Sequence, residues 1–212
     1  MDNKQKYGRV LILGRPNTGK STFLNAAMSQ KVAITSHLPQ TTRKNIKAVY
    51  NDDRGKILFI DTPGLLAKVT DLMGKKVNME VSKNINHAQV IIMMVDISRP
   101  KNEEENKALG IVRKMKAKKI LVYNKIDRAK GSKDHLAEYN YLEEEFDKTV
   151  AISAIKEKGV KSVIGAIFEL LPTKTSKEVK EEIDSLVASN RPVISMDSNE
   201  FVSEIIREKA YL

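Results

Sequence analysis

The chain has 212 residues, 41% of them hydrophobic, with three histidines, no cysteine and a formal net charge of +10. That length suits one α/β domain with a short appendage, and the apolar content is enough for a substantial core. The lack of cysteine excludes disulfides and thiol catalysis, and the longest apolar run, Val90-Ile91-Ile92-Met93-Met94-Val95, is too short to span a bilayer.

Residues Met1–Lys6 are polar, and the apolar stretch that follows, Val10-Leu11-Ile12-Leu13, reads as a strand, so no signal peptide is expected. This strand runs into Gly14-Arg15-Pro16-Asn17-Thr18-Gly19-Lys20-Ser21, and a helix starting at Lys20 continues through Thr22-Phe23-Leu24-Asn25-Ala26-Ala27. The spacing G-x-x-x-x-G-K-[ST] is moderately specific by itself, and a strand before it with a helix after it is the context that supports a phosphate-binding loop. Glycines at both ends let consecutive backbone N–H groups curl around a polyphosphate, and the helix start adds the positive end of its dipole. Lys20 would reach the β- and γ-phosphates, and the Ser21 hydroxyl would ligate Mg²⁺. A bland strand–helix turn with a surface lysine would share the spacing, but the rest of the chain weighs against it.

A polar loop, Lys31 to Asn45, precedes two short strands, Ile46–Tyr50 and Lys56–Asp61, which read as a hairpin through Asn51-Asp52-Asp53-Arg54-Gly55. The second ends at Asp61-Thr62-Pro63-Gly64, where a carboxylate at a strand end can hold Mg²⁺ through water and the Gly64 N–H can approach a γ-phosphate. Gly74 to Ala88 is expected to be helical, followed by the Val90 strand, and Glu103–Lys116 is a helix with Asn102 as N-cap. Lys119-Ile120-Leu121-Val122-Tyr123 leads into Asn124-Lys125-Ile126-Asp127. The Asp127 carboxylate can accept from both N1–H and the 2-amino group of guanine, donors that adenine lacks there, so an ATP complex would leave the charge unpaired. Helices are expected over Lys133–Phe146 and Gly159–Leu171, the latter stopped by Pro172. Between them Val150-Ala151-Ile152 ends at Ser153-Ala154, where a backbone N–H could bind guanine O6. Strands alternating with helices imply a doubly wound, mostly parallel sheet of about six strands with one antiparallel edge strand, and ligands in such sheets bind at the carboxyl ends of the strands.

Charge is unevenly spread. Residues 174–212 hold six lysines and arginines against eight carboxylates, so the preceding residues hold a net +12. Arg113, Lys114, Lys116, Lys118 and Lys119 crowd one helix end, where a solvated, dipole-favoured surface and a nucleic-acid contact are both open readings. His37, His87 and His135 show no ligand spacing.

The phosphate loop with Asn17, the stretch Pro39-Gln40-Thr41-Thr42-Arg43, Asp61-Thr62-Pro63-Gly64-Leu65 and Asn124-Lys125-Ile126-Asp127 together resemble the bacterial Era family of GTPases. The resemblance covers essentially the whole chain and implies a G domain over 1–172, a linker over 173–197 and, in 198–212, the first helix of a KH domain. It implies GTP binding and hydrolysis in small ribosomal subunit maturation, with the 3′ end of 16S rRNA as partner. It further implies a cytoplasmic location, with peripheral membrane contact as an additional option. Thr42, or in competition Thr41, would ligate Mg²⁺ beside Ser21 and Asp61. Leu65 stands where many GTPases carry a water-positioning Gln and has no hydrogen-bonding group. In relatives with Asn at the place of Asn17, its carbonyl helps hold K⁺ between phosphates. This makes Lys20, Asn17, Thr42 and Gly64 the candidate catalytic residues, and the alternative for Asn17 is a mere brace of the loop. Arg43 as an internal finger is weighed against a solvent-facing side chain. A short helix, Lys177–Ala188, is expected in a polar, acidic stretch that departs from the family's usual linker, which leaves its docking open. Asp197 and Glu200 form a capping pair ahead of an apolar stripe, Phe201, Val202, Ile205 and Ile206. A G-x-x-G clamp of the KH kind occurs nowhere in the 212 residues, so the competing reading is a nucleotide-binding domain without an RNA-binding output module.

Overall fold

The apolar runs become strands because each is long enough to cross a sheet, and the central ones are buried on both faces. In the computed structural model, which describes residues 4–28, 46–61, 88–129 and 135–188, the strands are β1 (Lys4–Leu13), β2 (Ile46–Asp52), β3 (Gly55–Asp61), β4 (Val90–Asp96), β5 (Lys118–Asn124), β6 (Lys148–Ala151) and β7 (Thr173–Thr175). They form one sheet in the order β2-β3-β1-β4-β5-β6, with β7 paired to β1. The pairs β3–β1, β1–β4, β4–β5 and β5–β6 are parallel and β2–β3 is the antiparallel edge. The six expected strands are therefore present, and β7 is a seventh.

Alternation along β1 assigns its side chains to two cores. Val10 and Ile12 join Phe23 and Leu24 of α1 (Lys20–Met28), while Leu11 and Leu13 join Ala108, Leu109 and Val112 of α2 (Glu103–Arg113). The first face also takes Val163, Ile164, Ile167 and Phe168 of α3 (Val160–Leu170), and Phe23 meets Phe59 edge-on, with ring centroids 6.2 Å apart. All seven residues of β4 are buried, as a central parallel strand covered on both faces requires. Helices on both faces and parallel strands in this order bring the carboxyl ends of β1, β3, β4, β5 and β6 to one edge, where Gly14–Ser21, Asp61, Asn124–Asp127 and Ser153–Ala154 lie.

The hairpin turn is tighter than expected. Asp52 pairs with Gly55, leaving Asp53 and Arg54 as the turn, and the Asp52 carboxylate accepts from the Arg54 N–H at 2.9 Å. Helix α2 ends at Arg113, three residues short of expectation, because the chain must extend at Lys118 to pair with Val90.

The expected helix over Lys133–Phe146 is corrected by two 3₁₀ segments, Leu136–Glu138 and Asn140–Glu145. Leu136, Tyr139 and Leu142 recur every third residue, which puts them on one side of a three-per-turn spiral, and Tyr139 and Leu142 are both fully buried.

Residues after Pro172 pack against the domain. β7 runs antiparallel to Lys4–Lys6, and Glu182 of α4 (Ser176–Ala188) takes hydrogen bonds from Arg9 at 3.0 Å and Lys174 at 2.5 Å. One acid of this stretch, Glu182, thus answers a basic residue of β1 and another of β7. The helix expected over Gly74–Ala88, the 198–212 helix and the Asp197–Glu200 cap lie outside the described residues. Among the described residues, no helix is long and apolar enough to cross a membrane.

Asn102 caps α2 as expected, its side chain accepting from the Glu105 N–H at 3.1 Å. Replacing it by Ala is expected to cost about 1 kcal/mol of stability, read from the midpoint of a urea unfolding curve.

Candidate functional site

The loop after β1 has to reverse direction close to β4, and its glycines permit this. Gly14 has φ 155° and Gly19 φ 97°. A Cβ on the first would collide with the Met94 carbonyl, and a Cβ on the second with the Asn124 amide. Asn17, at the apex, adopts a left-handed φ of 61°. Lys20 turns its side chain back under the loop, and its Nζ donates to the carbonyls of Gly14 and Arg15, both at 3.0 Å. The Thr18 hydroxyl donates to the same Arg15 carbonyl at 3.0 Å. Ser21 and Thr22 follow on the first turn of α1, half-buried. A glycine-bounded loop over a buried ammonium at a helix start is suited to an anion.

Arg15 belongs to the loop expected to bind the nucleotide, and its side chain packs against α2. It is 3% exposed and points away from the loop's mouth, donating to the Pro100 carbonyl at 2.9 Å and lying 3.3 Å from Glu105. Arg99 answers in the opposite sense and donates to the Pro16 carbonyl at 2.7 Å. Residues 15–16 and 99–100 thus exchange arginines. Glu105 is fully buried and accepts from the Tyr139 hydroxyl at 2.9 Å. Burial pushes the Glu105 carboxyl above its ordinary value, against the pull of Arg15 and the Tyr139 hydrogen bond.

On the base side, Asn124 donates from Nδ2 to the Thr18 carbonyl at 2.7 Å, which ties this loop to the phosphate loop. Its Oδ1 accepts from the N–H groups of Lys125 and Ala154 at 2.8 and 3.0 Å. Lys125 has a left-handed φ of 68° and its Nζ lies 2.7 Å from Asp96. Ile126 packs against the α2-side core. The Asp127 carboxylate accepts from the Ser153 hydroxyl at 2.5 Å, so β5 and β6 present their end loops to each other. The Ser153 N–H donates to the Lys158 carbonyl at 3.0 Å and the Ala154 N–H to Asn124, so both N–H groups expected at guanine O6 are engaged within the protein here.

Asp61 ends β3 on the same edge, paired in register with Ile12. Thr41, Thr42, Arg43, Thr62, Pro63, Gly64 and Leu65 lie outside the described residues. Of the basic cluster after α2, Arg113 pairs with Glu145 at 2.6 Å and Lys118 with Asp147 at 2.7 Å, which favours the solvated, ion-paired reading for these two.

Sequence reasoning missed Asp96, Arg99, Glu105 and Tyr139. The available signal was Asp96, a carboxylate closing a run of buried apolar residues. It is 1% exposed and pairs with Arg99 at 2.8 Å as well as with Lys125. Burial alone would raise its pKa. Hydrogen bonds from Lys125 and Ser98, with the charges of Lys125 and Arg99, outweigh burial and hold the carboxyl below its ordinary 3.8.

Comparison with known proteins agrees with this geometry. The family described as 50S ribosome-binding GTPase matches residues 9–125. GTPase Era of Borreliella burgdorferi strain ZS7 is 37% identical over 97% of this chain, which spans 67% of that relative. The solved structure of a single-residue variant of Aquifex aeolicus Era bound to GDP·AlF₄⁻ superposes with a TM-score of 0.72 at 30% identity, covering 79% of this chain and 58% of the other. Era in complex with MgGDPNP and nucleotides 1506–1542 of 16S ribosomal RNA superposes with the same score, identity and coverage.

Removing the Asp96 charge tests the hub. Asp96→Asn is expected to destabilise the fold by on the order of 3 kcal/mol at neutral pH, because two cations lose their common partner. The native carboxyl ionises below 3.8, so its contribution is complete above that pH and is lost as pH falls through the lowered native value. Urea unfolding as a function of pH should therefore show a flatter acid limb for the variant than for the parent.

Proposed function

The chain belongs to the Era family of GTPases, and on that premise we propose that it binds and hydrolyses GTP as a molecular switch in small ribosomal subunit maturation, with 16S rRNA as partner. The observation that carries the nucleotide reading is the joining of two loops. The phosphate loop and the Asn124–Asp127 loop are hydrogen-bonded to each other through Asn124 and Thr18. They therefore present one continuous surface, with amides and a lysine for phosphates at one end and a carboxylate for the base at the other. The RNA partner is supported by the related structure that contains 16S rRNA nucleotides. The family's layout supports a G domain over 1–172, followed by 173–197 and then by the opening of a KH domain in 198–212.

Ser21, Thr42 and Asp61 would all contribute oxygen donors, the chemistry that fits a hard cation such as Mg²⁺. Mg²⁺ held by these residues would neutralise phosphate charge. Lys20 is already aimed into the loop by two carbonyls and exchanges them for phosphate oxygens. The loop amides and the dipole of α1 hold the charge that develops on the leaving phosphate. Gly64, which has no side chain, would offer its N–H to the γ-phosphate. Leu65 cannot orient water, so intrinsic turnover is slow. The oxygen-bearing Asn17 in the loop would suit a monovalent cation, and K⁺ held there would supply positive charge in place of an arginine finger.

Guanine choice is tested by competition against fluorescent GDP. GTP should displace it at far lower concentration than ATP, and Asp127→Asn should shift preference toward xanthine nucleotides, whose carbonyl accepts from the new amide. ATP acting as well as GTP would refute the reading.

Turnover tests the cation. Replacing Na⁺ by K⁺ at constant ionic strength should raise GTP hydrolysis several-fold, and Asn17→Ala should abolish that response while GDP binding largely persists. Equal rates in the two salts would leave Asn17 as a brace.

A further inference from the structure

We infer that Glu105 is a positioning residue for the phosphate loop, acting through Arg15 to fix the carbonyl that holds the Lys20 ammonium. The inference rests on the nucleotide reading above and adds to it a residue on a helix whose own motif has no part in nucleotide binding.

Arg15 has two ends with different tasks. Its backbone carbonyl accepts from Lys20 Nζ and from the Thr18 hydroxyl, each at 3.0 Å, and is thus part of the floor under the phosphates. Its side chain leaves in the other direction and is buried against α2, with Glu105 3.3 Å away and the Pro100 carbonyl at 2.9 Å. A guanidinium that is 3% exposed cannot stay where it is without a carboxylate, because burying an uncompensated charge is strongly unfavourable. Glu105 is the carboxylate paired with it among the described residues. Without Glu105 the Arg15 side chain must move toward solvent or toward the phosphates. The carbonyl belongs to the same residue, so loss of the side chain's anchor loosens it as well.

Glu105 is itself held firmly. The Tyr139 hydroxyl donates to it at 2.9 Å, and the Asn102 side chain caps its N–H at 3.1 Å. The first turn of α2 and the buried Tyr139, between the two 3₁₀ segments, are therefore the frame against which Arg15 is pinned. Arg99 pins Pro16 separately, from Asp96, so the two residues that open the loop are each anchored by a different carboxylate.

A role in folding alone would lower stability and leave nucleotide release unchanged in the folded protein. The positioning role couples Glu105 to Arg15 in nucleotide affinity. The test measures release of fluorescent GDP from the full chain for Glu105→Ala, Glu105→Gln, Arg15→Ala and the Arg15→Ala/Glu105→Ala double variant, with thermal melts alongside. Glu105→Gln keeps the volume and an acceptor for Tyr139, so it carries the test if the Ala variant does not fold. Both Glu105 variants are expected to speed GDP release about tenfold, the scale of a lost charge-assisted contact. The double variant is expected to release no faster than Arg15→Ala alone. Unchanged release in folded Glu105→Gln, or strictly additive effects in the double variant, would overturn the inference while leaving the nucleotide reading intact. A parent chain that binds no GDP would instead overturn both.

Discussion

Asp96 closes the central strand, and two cations from different loops converge on it: Lys125 from the base-side loop and Arg99, whose other end grips the carbonyl of Pro16. The sheet order makes this convergence necessary. β4 separates β1, which carries the phosphate loop, from β5, which carries the base loop, so the two loops can agree on where a nucleotide lies only through the end of β4 or across it. Asn124 crosses it, reaching Thr18 over the top, and Gly19 lets the two loops approach closely enough for that bond. In surroundings of low effective dielectric such bonds reinforce one another, and the two loops become one object.

The same network explains why unfavourable backbone conformations persist. Asn17 and Lys125 both take left-handed φ values, at 61° and 68°. Such residues cost on the order of 1–3 kcal/mol each and survive where their neighbours over-determine them. Lys125 is fixed at its N–H by Asn124 and at its ammonium by Asp96. The strain at this position sits between two anchors, beside the carboxylate that would read the base.

Much of this was legible in the amino-acid order because it is local. A glycine-bounded loop after Val10-Leu11-Ile12-Leu13, or a carboxylate three residues after Asn124, is recognisable from spacing alone. What escaped is what depends on distant partners. Arg15 looks like a phosphate ligand until Glu105, ninety positions later, is seen to hold it, and Glu105 looks like one more acid in a helix's first turn. The period of three in Leu136, Tyr139 and Leu142 is compatible with a helical stripe. Tertiary burial of Tyr139 against Glu105 decided for the tighter spiral. The acidic stretch after Pro172 read as a linker because the partner of Glu182, Arg9, lies at the opposite end of the chain.

The strand that leads into the phosphate loop is tied along both of its edges. β3 pairs with Lys6–Ile12 on one side, while β7 and β4 divide the other between Lys4–Lys6 and Val10–Leu13. The gap between those two partners is filled by the Pro172 carbonyl, which receives the Tyr7 N–H, and by the Gln89 side chain, which receives the Arg9 N–H. Local opening begins where backbone groups have few partners and little covers them, and β1 offers neither condition. Its amide protons should exchange with solvent only when the whole domain unfolds. The floor on which the lysine and the loop stand therefore does not breathe with the loops above it, and a bound anion meets the same surface on every visit.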